Sequence, residues 1–328
     1  MGKYVLKRCV IAVVTVLVLV TIIFVLVRLL PGDPFTSEKT NEAIKEKMMA
    51  YYGLDKPLIE QWFTYVTNLL KGDLGVSLKY PGRTVNSVIA QTFPFSASLG
   101  ARSLILALMV GLFLGTLAAQ HAGKALDYIC VLIAVIGVSM PDFIIGTLLQ
   151  LVFAIKLKWL PAGQWMSFKY TILPVFALSL YTLSLVTRLM RSNMMEVINQ
   201  DYIMTAKAKG LSKFEIIWRH EIRNAILPIV TTMGPLTAAV LTGTFVLEKI
   251  YAVPGMGKFY VQSINDLDYT MVLGMTSFYG VFLVTANLIV DVLYGFIDPR
   301  IKLAGGGKQK KQKPGIGEKM EGGAADGK

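Results

Sequence analysis

The chain has 328 residues, of which 54% are hydrophobic and only 16% charged, with 33 Lys and Arg against 21 Asp and Glu for a net charge of +12. A soluble domain of this length rarely carries so little charge, so the composition points to a membrane class. The basic residues fall between apolar runs, which argues against nucleic acid as a partner, and the two cysteines, Cys9 and Cys130, lack metal-type spacing and are expected simply to pack.

A membrane span needs about 20 apolar residues. Six runs reach that length, at 9–30, 94–119, 126–155, 171–190, 229–247 and 271–297. The first ends in RLLPGDP and not in a small-residue cleavage site, so an uncleaved span is expected, with Arg28 snorkelling at its far end. Residues 31–93 are too polar to span and hold amphipathic stretches at 38–52 and 57–70, the pattern of a small subdomain outside the membrane. Arg102 sits near the outer end of the second run and is expected to snorkel. In the third run, Pro141 should kink the helix and leave Asp142 at mid-membrane depth. There its carboxylate either faces a water-filled path or satisfies backbone groups freed by the kink. Asp291, in the inner part of the sixth run, is expected to pair with Arg188 at the inner end of the fourth.

Charge sets the orientation. Lys3, Lys7 and Arg8 precede the first run, Arg191, Lys207, Lys209, Lys213, Arg219 and Arg223 lie between the fourth and fifth, and Arg300 and Lys302 follow the sixth. The opposite loops hold only Lys156, Lys158, Lys169, Lys249 and Lys258. The positive-inside rule puts both termini and the basic loop in the cytoplasm. The expected fold is therefore an all-α polytopic membrane protein with six transmembrane helices. Its divisions are 1–30 (N-terminus and first helix), 31–93 (external subdomain), 94–303 (helices two to six, with a loop at 191–228) and a Gly/Lys-rich disordered tail at 304–328.

The stretch DYIMTAKAKGLSKFEIIWRHEIRNAILP, residues 201–228, interrupts the apolar pattern. Helical spacing over 195–209 aligns Met195, Ile198, Tyr202, Thr205 and Ala206 on one face. Gly210 supplies the left-handed residue that closes a helix. Ser212 and Glu215 then have capping-box spacing, and Leu211 and Ile216 that of a hydrophobic staple. A second helix would share Phe214, Ile217, Trp218, Ile222 and Ala225 on one face and end at Pro228, just before the fifth run. The residues alone describe a cytoplasmic helical hairpin with a small-residue elbow at 206–210. An ordinary basic hairpin resting on lipid headgroups has the same features.

This segment resembles the coupling loop of binding-protein-dependent ABC importer permeases. Met204, Thr205 and Ala206 occupy the positions of that loop's Glu-Ala-Ala opening, Gly210 its glycine, and Leu227-Pro228 its closing pair. The closing pair reads I-L-P instead of I-x-L-P and falls several residues late. DYIMTAKAKGLS and RHEIRNAILP resemble the peptide-type form, and RLLPGDPF, GLDKPLIEQW, KGDLGVSL, YAVPGMGKF, DYTMVLG and IVDVLYGFIDPRIK extend the resemblance to the B-type permease subunit of oligopeptide and dipeptide importers over about 1–303. The resemblance implies a multi-pass subunit of a bacterial-type plasma membrane. Its partners would be a second, similar permease, two cytoplasmic ATPase subunits that bind ATP and Mg, and an external peptide-binding protein. It also assigns ATPase contact to Asp201, Tyr202, Thr205, Ala206, Lys207, Ala208, Gly210 and Leu211. On the first of the two readings given for Asp142, its carboxylate could meet a peptide amino terminus on the path.

The chain has no G-x-x-x-x-G-K-[ST] run, so no ATP site of its own is expected; Gly255-Met256-Gly257-Lys258 is too short and reads as an external turn. His121 and His220 are far apart, with no Ser/His/Asp or HExxH arrangement, so no catalytic residue, metal site or cofactor is expected in this polypeptide. Nickel or glutathione are alternative cargoes within the same family. A channel, an ion-coupled transporter or a membrane scaffold would be of another class, but no filter or internal repeat supports the first two.

Overall fold

The computed structural model describes residues 2–29, 46, 49–51, 53–80, 82–241 and 245–297. Among these residues the chain is helical throughout, and one isolated bridge, Val76 to Thr84, is the extent of extended pairing. Helices dominate for a physical reason: in hydrocarbon every backbone N–H and C=O must be satisfied within the segment.

Helix α1, Gly2–Arg28, is apolar on all sides beyond Arg8 and lies along the last helix, α12, Tyr269–Ile297. Helix α2, Leu58–Leu70, starts directly after Pro57 and touches both through side chains. It is pinned by polar contacts: the Trp62 indole donates to Thr21 Oγ1 (3.1 Å), Arg28 Nη2 to Gln61 Oε1 (2.8 Å), and the Tyr65 hydroxyl to Ser277 Oγ (2.8 Å). Arg28 also lies 3.8 Å over the Phe24 ring, so it is held by named partners at the C-terminal end of its helix. Of the two expected external stretches, 57–70 is α2; 38–52 falls mostly outside the described residues.

Helix α3, Val85–Gln120, is capped by Thr84, whose hydroxyl accepts from Ser87 N (3.1 Å). It begins nine residues before the apolar run expected at 94, and Pro94 is accommodated inside it. Its partner is α6, Phe168–Ile198. Glycines let the two backbones meet: a Cβ at Gly111 would lie 2.9 Å from Leu183 O, and one at Gly115 2.7 Å from Thr187 O. Small residues at such crossings are the usual means of close packing between membrane helices.

Between them run α4, Ala125–Ser139, and α5, Asp142–Leu149, which continues as a π-helix over Gln150–Lys156. The expected single span at 126–155 is instead broken, with the halves bent by 106°. Met140 and Pro141 are extended there, and proline cannot supply the N–H that would continue the first helix.

The hairpin expected in the loop after the fourth run comprises α7, Asp201–Ala208, and α8, 213–225, which is α-helical at Lys213–Glu215 and Arg223–Ala225 and π-helical at Ile216–Ile222. Then follow α9, Leu227–Leu241, α10, Phe245–Ile250, and α11, Met256–Asn265. The expected fifth run, 229–247, corresponds to α9 and α10, with 242–244 outside the described residues. Among the described residues, four helices are long and apolar enough to cross a membrane, or five if the bent α4–α5 pair is one span.

The start of α3 and the start of α12 are joined by Asp268, which is fully buried. It accepts from the Ser77 hydroxyl, from Leu78 N (3.1 Å) and from Met271 N (3.1 Å), clamping the loop before α3 to the first turn of α12. The side chain of Asp291 and the tail at 304–328 lie outside the described residues, and with them the expected Arg188 pairing.

Candidate functional site

The hairpin at 199–228 is built by local rules. Helix α6 ends at Ile198, where the Asn199 side chain donates to Met195 O (2.8 Å) and Gln200 turns extended. The helix expected over 195–209 is thus two helices. The break resets the phase, so the inward face of α7 is Ile203 and Ala206, while Asp201, Tyr202, Met204, Thr205, Lys207 and Ala208 are exposed. The Thr205 hydroxyl donates back to Asp201 O (3.1 Å).

Gly210 closes α7 with φ +76°. Its N–H donates to Lys207 O (3.0 Å) and that of Leu211 to Ala206 O (3.4 Å), the paired bonds of a Schellman end. The capping box follows as the spacing predicts. Glu215 N donates to Ser212 Oγ (3.3 Å), and Ser212 N donates to Glu215 Oε2 (3.1 Å). The Ser212 hydroxyl also holds the Glu215 carboxyl below the usual range. Leu211 packs with Ile203, Ala206 and Ile216, which realises the staple. Both helix ends at the elbow are thus satisfied locally, and Val197 of α6 packs against its small core.

In α8 the inward face differs from the one expected. Ile216, Glu221 and Ala225 are buried, whereas Phe214 is 74% and Trp218 65% exposed. The π-helical run explains the shift, because each of its turns holds more residues than an α-turn and moves the buried stripe. Neither that run nor the burial of Glu221 has a signature in the sequence. Burial pushes the Glu221 carboxyl up, and Gln120 at the end of α3 donates to it.

Ile226 links α8 to α9 without a wide turn, and Pro228 lies in the first turn of α9, where its missing N–H costs nothing. Asn193 Nδ2 donates to Ala225 O (3.0 Å), tying the hairpin's base to α6. Nearby, Arg191, expected as part of the basic loop, instead forms a two-pronged pair from α6 with Asp127 of α4, at 2.6 and 2.8 Å. That pair is 64 residues apart in sequence, and helical periodicity gives no hint of it.

The hairpin therefore presents a tip of Tyr202, Met204, Gly210 and Phe214, rimmed by exposed Lys207, Lys209, Lys213, Arg219 and Arg223. Such a shape can enter a groove on another protein and resist bending. Asp142 is not part of it. At the first position of α5, half-buried, Asp142 accepts from Phe143 N (2.8 Å), so one oxygen caps the helix after the break. Gly255 and Gly257 begin α11 against the buried carboxylate of Glu248, with Gly257 N donating to Glu248 Oε2 (2.7 Å). Among the described residues, no cluster of His, Cys, Asp and Glu could hold a metal ion.

Comparison with known proteins gives a consistent picture. The family model described as "Binding-protein-dependent transport system inner membrane component" matches residues 111–303, and the model for the N-terminal part of such membrane components matches 1–100. The dipeptide transport system permease protein DppB of Bacillus subtilis (strain 168) is 46% identical over 304 residues, covering 92% of this chain and 99% of its own. The oligopeptide transport system permease protein OppB of Salmonella typhimurium is 41% identical over 305 residues, covering 92% and 100%. Among solved structures, a crystal structure of an amino acid ABC transporter with histidines aligns with TM-score 0.51 at 14% identity, over 64% of this chain and 93% of that one, which speaks to the fold alone.

Proposed function

The chain belongs to the binding-protein-dependent transport system inner membrane component family, and from that premise we propose that it is the permease subunit of an ATP-driven importer for dipeptides or oligopeptides. The cargo reading rests on its relatives, which are named as dipeptide and oligopeptide transport permeases. The mechanical reading rests on the elbow: a protruding, doubly capped hairpin, sealed by Gly210 and wired to α6 at its base.

In this reading the chain spans the plasma membrane six times with both termini in the cytoplasm. A second, similar permease lines the path with it. Two cytoplasmic ATPase subunits bind ATP and Mg and receive the elbow, with Asp201, Tyr202, Thr205, Lys207, Ala208 and Gly210 at or near the contact and Ala206 and Leu211 bracing it from within. An external binding protein delivers the peptide. Hydrolysis takes place on the partners, and differential affinity of the ATPases for the elbow in their nucleotide states drives alternating access. Asp142 stands on the path, its second oxygen available to a peptide amino terminus.

A mild-detergent pull-down of the chain from its native cells, read by mass spectrometry, tests the assembly. Two nucleotide-binding ATPases and one similar permease are the expected companions; recovery of a homo-oligomer alone would defeat the importer reading. Gly210→Trp is expected to release the ATPases while leaving the membrane pair intact. Asp142→Asn is expected to weaken uptake across a peptide panel, and unchanged uptake would remove Asp142 from the path.

A further inference from the structure

Glu221 is the one acidic side chain of α8 that faces inward: it is 4% exposed, beside buried Ile216 and Ala225. Burying a carboxylate is unfavourable unless something is gained by it. Its partner is Gln120, the last residue of α3, whose side-chain amide donates to Glu221 Oε2. Ala119, next to Gln120 in α3, belongs to one apolar cluster with Met190 and Met194 of α6, Ala225 of α8 and Ile229 of α9. Apolar contacts are non-directional and let helices slide. A hydrogen bond to the buried Glu221 carboxyl does not, because leaving that group unpaired costs its desolvation penalty, whereas Gln120 itself is half-buried.

Helix α3 then continues outward for 36 residues, about 54 Å at 1.5 Å per residue. Near its outer end the Ser96 hydroxyl accepts from Met256 N (3.0 Å), and Val85 packs with Met256, Met271 and Met275. One rigid element thus joins the base of the hairpin to the loops of the outer face.

We propose that Glu221 is a positioning residue that passes displacement of the elbow to α3 through its hydrogen bond with Gln120. This rests on the importer reading above. The bond acts as a register pin, so that α3 follows α8 instead of slipping past it.

The test uses the assembly purified through a tag on this chain and reconstituted in liposomes, with its external binding protein and a radiolabelled mixture of short peptides. Uptake and ATP hydrolysis are measured in the same vesicles. Glu221→Leu and Gln120→Leu should each lower peptide accumulated per ATP by about tenfold, within the usual range of coupling between sites. The double variant should lose no more than either alone, the mark of one shared contact. Glu221→Gln keeps a carbonyl acceptor and should retain the ratio. Losses that multiply in the double variant, a ratio that stays normal while only yield and thermal stability fall, or equal loss in Glu221→Gln and Glu221→Leu would each overturn the proposal. Wild-type vesicles that fail to take up any peptide with ATP would instead defeat the importer reading.

Discussion

At Gly210 an added Cβ would meet nothing within 4 Å, so any cost of replacement comes from the backbone at φ +76° alone. Gly210→Ala is expected to destabilise the elbow by about 1 kcal/mol, and Gly210→Asn by less, read as hydrogen-exchange protection of the Leu211 amide. The two glutamates of α8 respond to pH with opposite signs. The Glu215 carboxyl is held low by Ser212, so its contribution is present above the ordinary glutamate value of about 4.3. It is lost as pH falls through the lower folded value, and exchange protection at Ser212 N–H should fall with it. Burial raises Glu221, which makes ionisation at neutral pH a cost; Glu221→Gln is therefore expected to raise the melting temperature at pH 7. Both helix ends of this elbow were legible in the sequence because Ser212, Glu215, Leu211 and Gly210 act over three to five residues. Glu221 was not, since nothing local distinguishes it from the exposed charges beside it.

Among the elements, the α3–α6 seam tolerates little added bulk. A side chain at Gly115 would meet the Met190 side chain and Thr187 O together, and both belong to the helix against which α3 is packed. Gly115→Leu is expected to cost more than the roughly 1–3 kcal/mol typical of overpacking, visible as lost monodisperse protein in detergent. Arg191→Ala leaves Asp127, 3% exposed, without its cation. The expected loss is roughly 2–3 kcal/mol, below the figure for a fully buried pair, because Arg191 itself is 30% exposed. Arg191→Lys should recover part of it without the two-pronged geometry. Long apolar runs announced most helices, and Pro141 announced the break in the third. The 106° angle was not announced, because proline sets where a helix stops and tertiary packing sets where the chain goes next. The inward face of α8 was misplaced for a related reason: α-helical periodicity was assumed through a π-helical run.

For the whole molecule, six passes with both ends inside require that a reporter fused to either terminus behave as cytoplasmic. Alkaline phosphatase should be inactive at both ends and active when inserted in the outer loop near Gly82; activity at one terminus would reduce the passes to an odd number. The expectation comes from the sequence because lysine and arginine bias topology, and the reporter fusions test it.

The π-helical run at Ile216–Ile222 also bears on sequence length. Each residue of an α-helix turns the chain by about 100°, so the angular setting of Ala225 and Ile229 depends on how many residues precede them. A π-turn holds more residues than an α-turn, so the seven residues of the run turn the chain about as far as six would in an α-helix. Straightening the run to an α-helix with its length unchanged would therefore dial everything downstream round, carrying Ala225 and Ile229 off their setting against α6, whereas removing one residue together with the straightening would restore it. A substitution harmless to helicity would thus behave as a clutch left disengaged, and circular dichroism would miss what an uptake assay would see.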